Sequence, residues 1–108
     1  MLLTAWRVGL AAVLAVGFDG AGAAPCPAGL VVREAAPQDA ACVTPASKRR
    51  AAADNATAPL RWLSGPFGPK TCAVGFVWRQ AFPTDLTCVI PLVRTETLQE
   101  NKNPKGDV

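Results

Sequence analysis

Cys72-Ala-Val-Gly-Phe-Val-Trp-Arg-Gln-Ala-Phe-Pro-Thr-Asp-Leu-Thr-Cys88-Val-Ile-Pro91 decides the fold, because the chain has already used the same pattern once. Cys26-Pro-Ala-Gly-Leu-Val-Val-Arg-Glu-Ala-Ala-Pro-Gln-Asp-Ala-Ala-Cys42-Val-Thr-Pro45 aligns on it without a gap, 46 residues upstream. The shared skeleton is C-x2-G-x-V-x-R-x-A-x-P-x-D-x2-C-V-x-P. A repeat of this kind sets the architecture before any single element is assigned.

Within the unit each offset has a local structural meaning. Cys26-Pro27-Ala28-Gly29 carries proline second and glycine fourth, a type I turn signature, and Cys72-Ala73-Val74-Gly75 keeps the glycine. Leu30 to Arg33 and Phe76 to Arg79 are β-branched and aromatic runs suited to strands. Pro37 and Pro83 take the second position of a further turn, two residues before Asp39 and Asp85. A short strand through Cys42-Val43 or Cys88-Val89 closes the hairpin, and Pro45 or Pro91 suits the first position of a helix. Thr44 is an expected N-cap for a helix through Ala46 to Ala58, which the Ala51-Ala52-Ala53 run favours. The matching helix, Leu92 to Lys102, starts more weakly because Ile90 cannot cap. Asn55 and Asn101 fall at equivalent places and extend the repeat through the helices.

Size and cysteine usage point to an exported domain. Arg7, the apolar run Val8 to Phe18 and the small residues Ala21-Gly22-Ala23 read as a signal peptide over 1–23, with Ala24 first in the mature chain. The apolar run is too short to span a bilayer, and no other segment is a candidate span. Roughly 85 residues then remain, below the size at which a hydrophobic core alone is comfortable. Disulfides compensate in oxidising compartments. Four cysteines permit three pairings, of which the duplication favours Cys26–Cys42 with Cys72–Cys88. Zinc is disfavoured because the chain has no C-x2-C pair and no histidine. Redox catalysis lacks its C-x-x-C for the same reason. No cofactor is expected.

The expected fold is therefore small, disulfide-stabilised α+β: two tandem β-hairpin–helix modules over 24–58 and 71–101. A Gly/Pro-rich connector at 59–70 joins them, and a flexible tail at 102–108 follows. The second unit resembles a repeat known from uncharacterised secreted proteins, mainly of GC-rich bacteria, many of which carry it in tandem. The resemblance rests on two cysteines, a glycine, an arginine, a proline and an aspartate at fixed offsets. The Ala-Ala-Ala-Asp-Asn-Ala string at 51–56 adds to it. The first unit departs from the pattern, with Val32 where tryptophan is usual. What the resemblance implies is secretion and modularity, not an activity.

Reaction chemistry is poorly supplied. Without histidine there is no Ser-His-Asp or Cys-His arrangement. Asp39 and Asp85 could form a glycosidase-like carboxylate pair, but aspartates after a Pro-x pair more often bind the backbone of their own turn. Arg33 and Arg79 are scaffold contacts or, functionally, clamps for sulfate, phosphate or carboxylate. Trp62, Phe67, Phe76, Trp78 and Phe82 are core residues or a stacking platform, with Trp62 and Phe67 in the connector the more open to a partner. Lys48-Arg49-Arg50 is a solvated face or an anionic-surface contact. Asn55-Ala56-Thr57 matches a glycosylation sequon that a helical setting makes coincidental. A formal charge of +3 does not argue for nucleic acid.

The sequence thus predicts a secreted, non-enzymatic repeat protein, at large or in the periplasm or cell envelope. It would bind an extracellular or cell-wall protein or glycan through Trp62, Phe67, Trp78, Arg33 and Arg79. The alternative is a small inhibitor or effector presenting the Pro37–Asp39 and Pro83–Asp85 tips to a target enzyme.

Overall fold

The structure, a computed structural model, describes residues 26–106. The signal peptide expected at 1–23 and the end of the tail at 107–108 lie outside the described residues. From Cys26 the chain forms strand β1 (Val31–Val32), strand β2 (Cys42–Val43) and helix α1 (Pro45–Thr57). A 3-10 turn, Ala58–Arg61, leads into β3 (Trp62–Gly65) and β4 (Gly68–Cys72). Strands β5 (Val77–Trp78) and β6 (Cys88–Val89) and helix α2 (Pro91–Lys102) follow. The strands pair antiparallel as three separate ribbons, β1–β2, β3–β4 and β5–β6. This is a small disulfide-stabilised α+β fold of two hairpin–helix modules, with a third hairpin between them.

Corresponding residues of the two modules make corresponding bonds. Val31 opposes Val43 as Val77 opposes Val89, and Val32 opposes Cys42 as Trp78 opposes Cys88. The amide of Leu30 donates to Pro27 at 3.1 Å and that of Phe76 to Ala73 at 3.0 Å. These turns need Gly29 and Gly75 at φ 85° and 95°, where a side chain is strained. The residues after the arginines, Glu34 and Gln80, also take positive φ, 52° and 62°. That kink ends each strand and turns the chain toward its aspartate. The disulfides are Cys26–Cys42 and Cys72–Cys88, one inside each module, with Cα atoms 5.5 and 5.6 Å apart. A loop of this size is worth about 3 kcal/mol in the chain-entropy account.

Both helices begin at proline. Thr44 caps α1, its hydroxyl accepting from the Ser47 amide at 3.2 Å. Ile90 has nearly the same backbone angles at the start of α2 but offers no acceptor.

Two segments outside the matched hairpins carry structure of their own. Most of the Gly/Pro-rich connector at 59–70 is the 3-10 turn and the β3–β4 hairpin, in which Trp62 opposes Cys72 and Leu63 opposes Thr71. Pro66 and Pro69 flank the tip, where they read as breakers. Gly65 opposes Gly68 there, and a Cβ on Gly65 would lie 2.9 Å from Thr71 Cγ2. The tail at 102–106 lies against the first module. Pro104 accepts from the Cys42 amide at 2.8 Å, and Gly106 lies so close to Leu30 that a Cβ there would clash at 2.2 Å.

The core is made of small residues. Ala35, Ala51 and Ala81 form a buried cluster against which Phe82 packs, and Val43, Val89 and the half-cystines Cys42 and Cys88 are buried nearby in sequence. Among the described residues none of the aromatic rings is buried, so the expectation that Phe76 and Trp78 fill a core does not hold. The large side chains at the centre are polar: Arg33, Arg79, Asp85 and Thr97 are each 2–3 % exposed.

Candidate functional site

Each arginine is held by its own turn aspartate and by the helix of the other module. Arg33 Nε donates to Asp39 Oδ2 at 2.7 Å and Nη2 to Oδ1 at 3.1 Å, a two-pronged pair. Arg79 meets Asp85 in the same way at 2.7 and 3.2 Å. Beyond that, Arg33 Nη2 donates to Asn101 of α2 at 2.9 Å and Nη1 to Glu100 at 3.3 Å. Arg79 Nη2 donates to Asn55 of α1 at 2.9 Å and Nη1 to the Ala51 carbonyl at 3.3 Å. The two asparagines complete the exchange: Asn55 donates to the Ala35 carbonyl and Asn101 to the Gln80 carbonyl, both at 2.9 Å. Arg33 and Arg79 are therefore withdrawn from the candidate surface. Both are buried, and their Nε, Nη1 and Nη2 atoms all donate to groups inside the protein, so neither guanidinium is presented to an external anion.

The aspartates face inward as well. Asp39 accepts from the amides of Ala35 and Ala41, and Asp85 from those of Ala81 and Thr87. Burial pushes the Asp85 carboxyl up. The hydrogen bond from Arg79, the Ala81 amide, the Arg79 charge and the Thr87 amide outweigh it and hold the group below the ordinary aspartate value. Asp39 is likewise held low, burial being overcome by Arg33 and the amides of Ala35 and Ala41. Such carboxylates stay ionised and are poor proton donors. The tip residues left to solvent are Pro37, Gln38, Pro83 and Thr84, which carry no charge, so the tips lack the aspartates that the inhibitor reading needed.

The aromatic residues do come together. Phe67, at the tip of the β3–β4 hairpin and 73 % exposed, meets the Trp78 ring edge-to-face at 5.7 Å. The Trp78 indole is fixed by donating to the Lys70 carbonyl at 2.9 Å. With Phe76 and Val77 these rings wall an open cleft of about 290 Å³, floored by Thr71 and Cys72, and Arg94 of α2 stands at its margin. The Thr71 hydroxyl is committed to the hairpin turn, accepting from Phe67 and donating to Gly68. Trp62 does not line this cleft. Its indole donates to the Leu86 carbonyl at 2.7 Å and its face is covered by the Lys70 ammonium at 4.5 Å. The Arg61 guanidinium lies 4.6 Å from the Phe76 ring centre. Arg61, Lys70 and Arg94 lie outside the matched skeleton and carry no motif in the sequence.

The remaining sequence candidates have structural roles. Lys48 pairs with Glu34 and donates to the Val32 carbonyl, and Arg50 pairs with Glu96 of α2, leaving Arg49 as the exposed member of the basic run. Asn55 uses both ends of its amide internally, and the Thr57 hydroxyl donates to Ala53, so the sequon is part of the helix. Among the described residues no group of three His, Cys, Asp or Glu side chains could hold a metal, and no helix is long and apolar enough to cross a membrane. The disulfides are consistent with an oxidising compartment. No family model, curated protein or solved structure matches the chain.

Proposed function

We propose that the chain is a secreted, non-enzymatic binding module whose cleft between Phe67, Phe76 and Trp78 holds a ring of an extracellular or cell-envelope glycan. The observation that carries this is the placement of Phe67. A mostly exposed phenylalanine stands at a hairpin tip, edge-to-face with a tryptophan whose indole is locked by a backbone bond. Exposed rings already held in place lose little freedom on binding, and apolar sugar faces stack on them. Two disulfides keep the platform's frame rigid. The buried arginine–aspartate pairs belong to that frame.

The test is binding of the disulfide-intact protein to a panel of neutral and acidic polysaccharides, followed by calorimetry and affinity gels. Phe67→Ala is the decisive variant, because Phe67 is exposed and its loss leaves the fold's hydrogen bonds in place. Binding should fall at least about tenfold in Phe67→Ala, in line with the weight of aromatic contacts in binding sites. Undiminished binding in that variant, or no glycan binding by the parent protein, overturns the reading.

A further inference from the structure

Lys48 and Arg94 occupy the same position in the two modules, each the fourth residue of a helix that starts at proline. A cation in the first turn of a helix is disfavoured by the helix dipole, and neither helix has an acidic residue there to offset it. In the first module the charge is neutralised from outside the helix. Lys48 pairs with Glu34, the left-handed residue that follows Arg33, and donates to the Val32 carbonyl at 3.1 Å. In the second module the residue at Glu34's place is Gln80, with the same left-handed backbone. The Arg94 guanidinium accordingly has no hydrogen-bond or ion-pair partner among the described residues, although it is only half-exposed. It stands at the margin of the cleft walled by Phe67, Phe76 and Trp78.

We infer that this cleft is a site for a carboxylated sugar, a uronate ring of an acidic polysaccharide, with Arg94 pairing the carboxylate while the ring lies on the aromatic walls. The inference rests on the glycan reading of the same cleft and specifies its ligand. Three features support it. The cleft volume, about 290 Å³, is near the lower limit for ligand pockets and suits one ring rather than an extended ligand. The other polar side chains lining it, the Thr71 hydroxyl and the Trp78 indole, are already engaged, so among the described lining residues the side-chain donor left is the Arg94 guanidinium, whose planar fork matches a carboxylate. A pyranose presents a C–H face to the aromatic walls and its hydroxyls to the water above the open cleft.

The first module supplies the design of the test, because it shows how a neighbouring glutamate silences this cation. Gln80→Glu places a carboxylate at the position equivalent to Glu34, from which Lys48 is paired in the first module, and leaves Arg94 and the cleft walls unsubstituted. Binding of polygalacturonate and alginate is compared with that of their methyl esters, which keep the rings and lose the charge. The parent protein should prefer the acid forms by about tenfold, the scale of one charge-assisted pair. Gln80→Glu and Arg94→Gln should both abolish that preference, and Arg49→Gln, which removes an exposed cation of α1, should leave it intact. Equal, Phe67-dependent binding of acid and ester overturns the uronate inference and leaves the glycan reading standing. A preference that survives Arg94→Gln, or that falls equally in Arg49→Gln, overturns it too, because net charge would then be the cause. No binding of any glycan overturns both.

Discussion

The Asp85 side chain is 1 % exposed and that of Asp39 7 %, and Arg33 keeps a second carboxylate in Glu100, which together rank the two ion pairs. Removing one partner of a buried pair leaves the other charged and unsolvated, a loss of about 3 kcal/mol or more. Asp85→Asn should therefore lower the guanidinium midpoint more than Asp39→Asn, and an equal loss would show that neither burial nor the Glu100 partner sets the cost. The same carboxylates give the pH dependence. Both are held below their unfolded value of about 3.9, so the stability they contribute is complete above that value and is lost as pH falls through the lower folded values. Stability should be flat from neutral pH down to about 5 and should fall below about 4. Asp85→Asn should shallow that acid limb; a limb unchanged by the substitution would remove Asp85 as its source.

Helix starts give the sharpest comparison between elements. Thr44 and Ile90 share a backbone conformation, yet only Thr44 supplies an acceptor, and Ile90 is 47 % exposed. Ile90→Thr should raise stability by about 1 kcal/mol and Thr44→Ala should lower it by a similar amount, read from thermal unfolding. No gain from Ile90→Thr would mean that its apolar contacts outweigh a cap. These starts were legible in the sequence because caps and prolines act within a few residues, as do the turn glycines and the aspartate's bonds to Ala35 and Ala41. The β3–β4 hairpin was not, because Pro66, Gly68 and Pro69 interrupt the alternation by which strands are recognised. Its stability comes from ring contacts and indole bonds made with residues well outside it, such as Leu86. Arg94 escaped notice for a related reason: what marks it is the absence of a partner at Gln80, and an absence has no sequence motif.

At the scale of the whole molecule, the first module's arginine is completed by α2 and the second module's by α1, across 68 and 24 residues of sequence. Fragments 26–58 and 59–106, each with its disulfide formed, should be largely unfolded alone and should regain helical circular dichroism when mixed. A fragment that folds unaided would show the exchanged bonds to be dispensable. Removing residues 103–108 takes Pro104 from the Cys42 amide and Gly106 from Leu30, and should cost at least about 1 kcal/mol, the worth of the hydrogen bond alone, although the cut lies in the other module's tail. The exchange of helices has one more consequence. A surface on which Arg33 meets Asn101 while Arg79 meets Asn55 is self-complementary about a two-fold axis, the arrangement of a symmetric homodimer, here closed within one polypeptide. Nothing in those bonds distinguishes a neighbour in the same chain from the equivalent module of another. Concentrated protein refolded with its disulfides intact has two ways to satisfy the same contacts, and an intertwined dimer is the second.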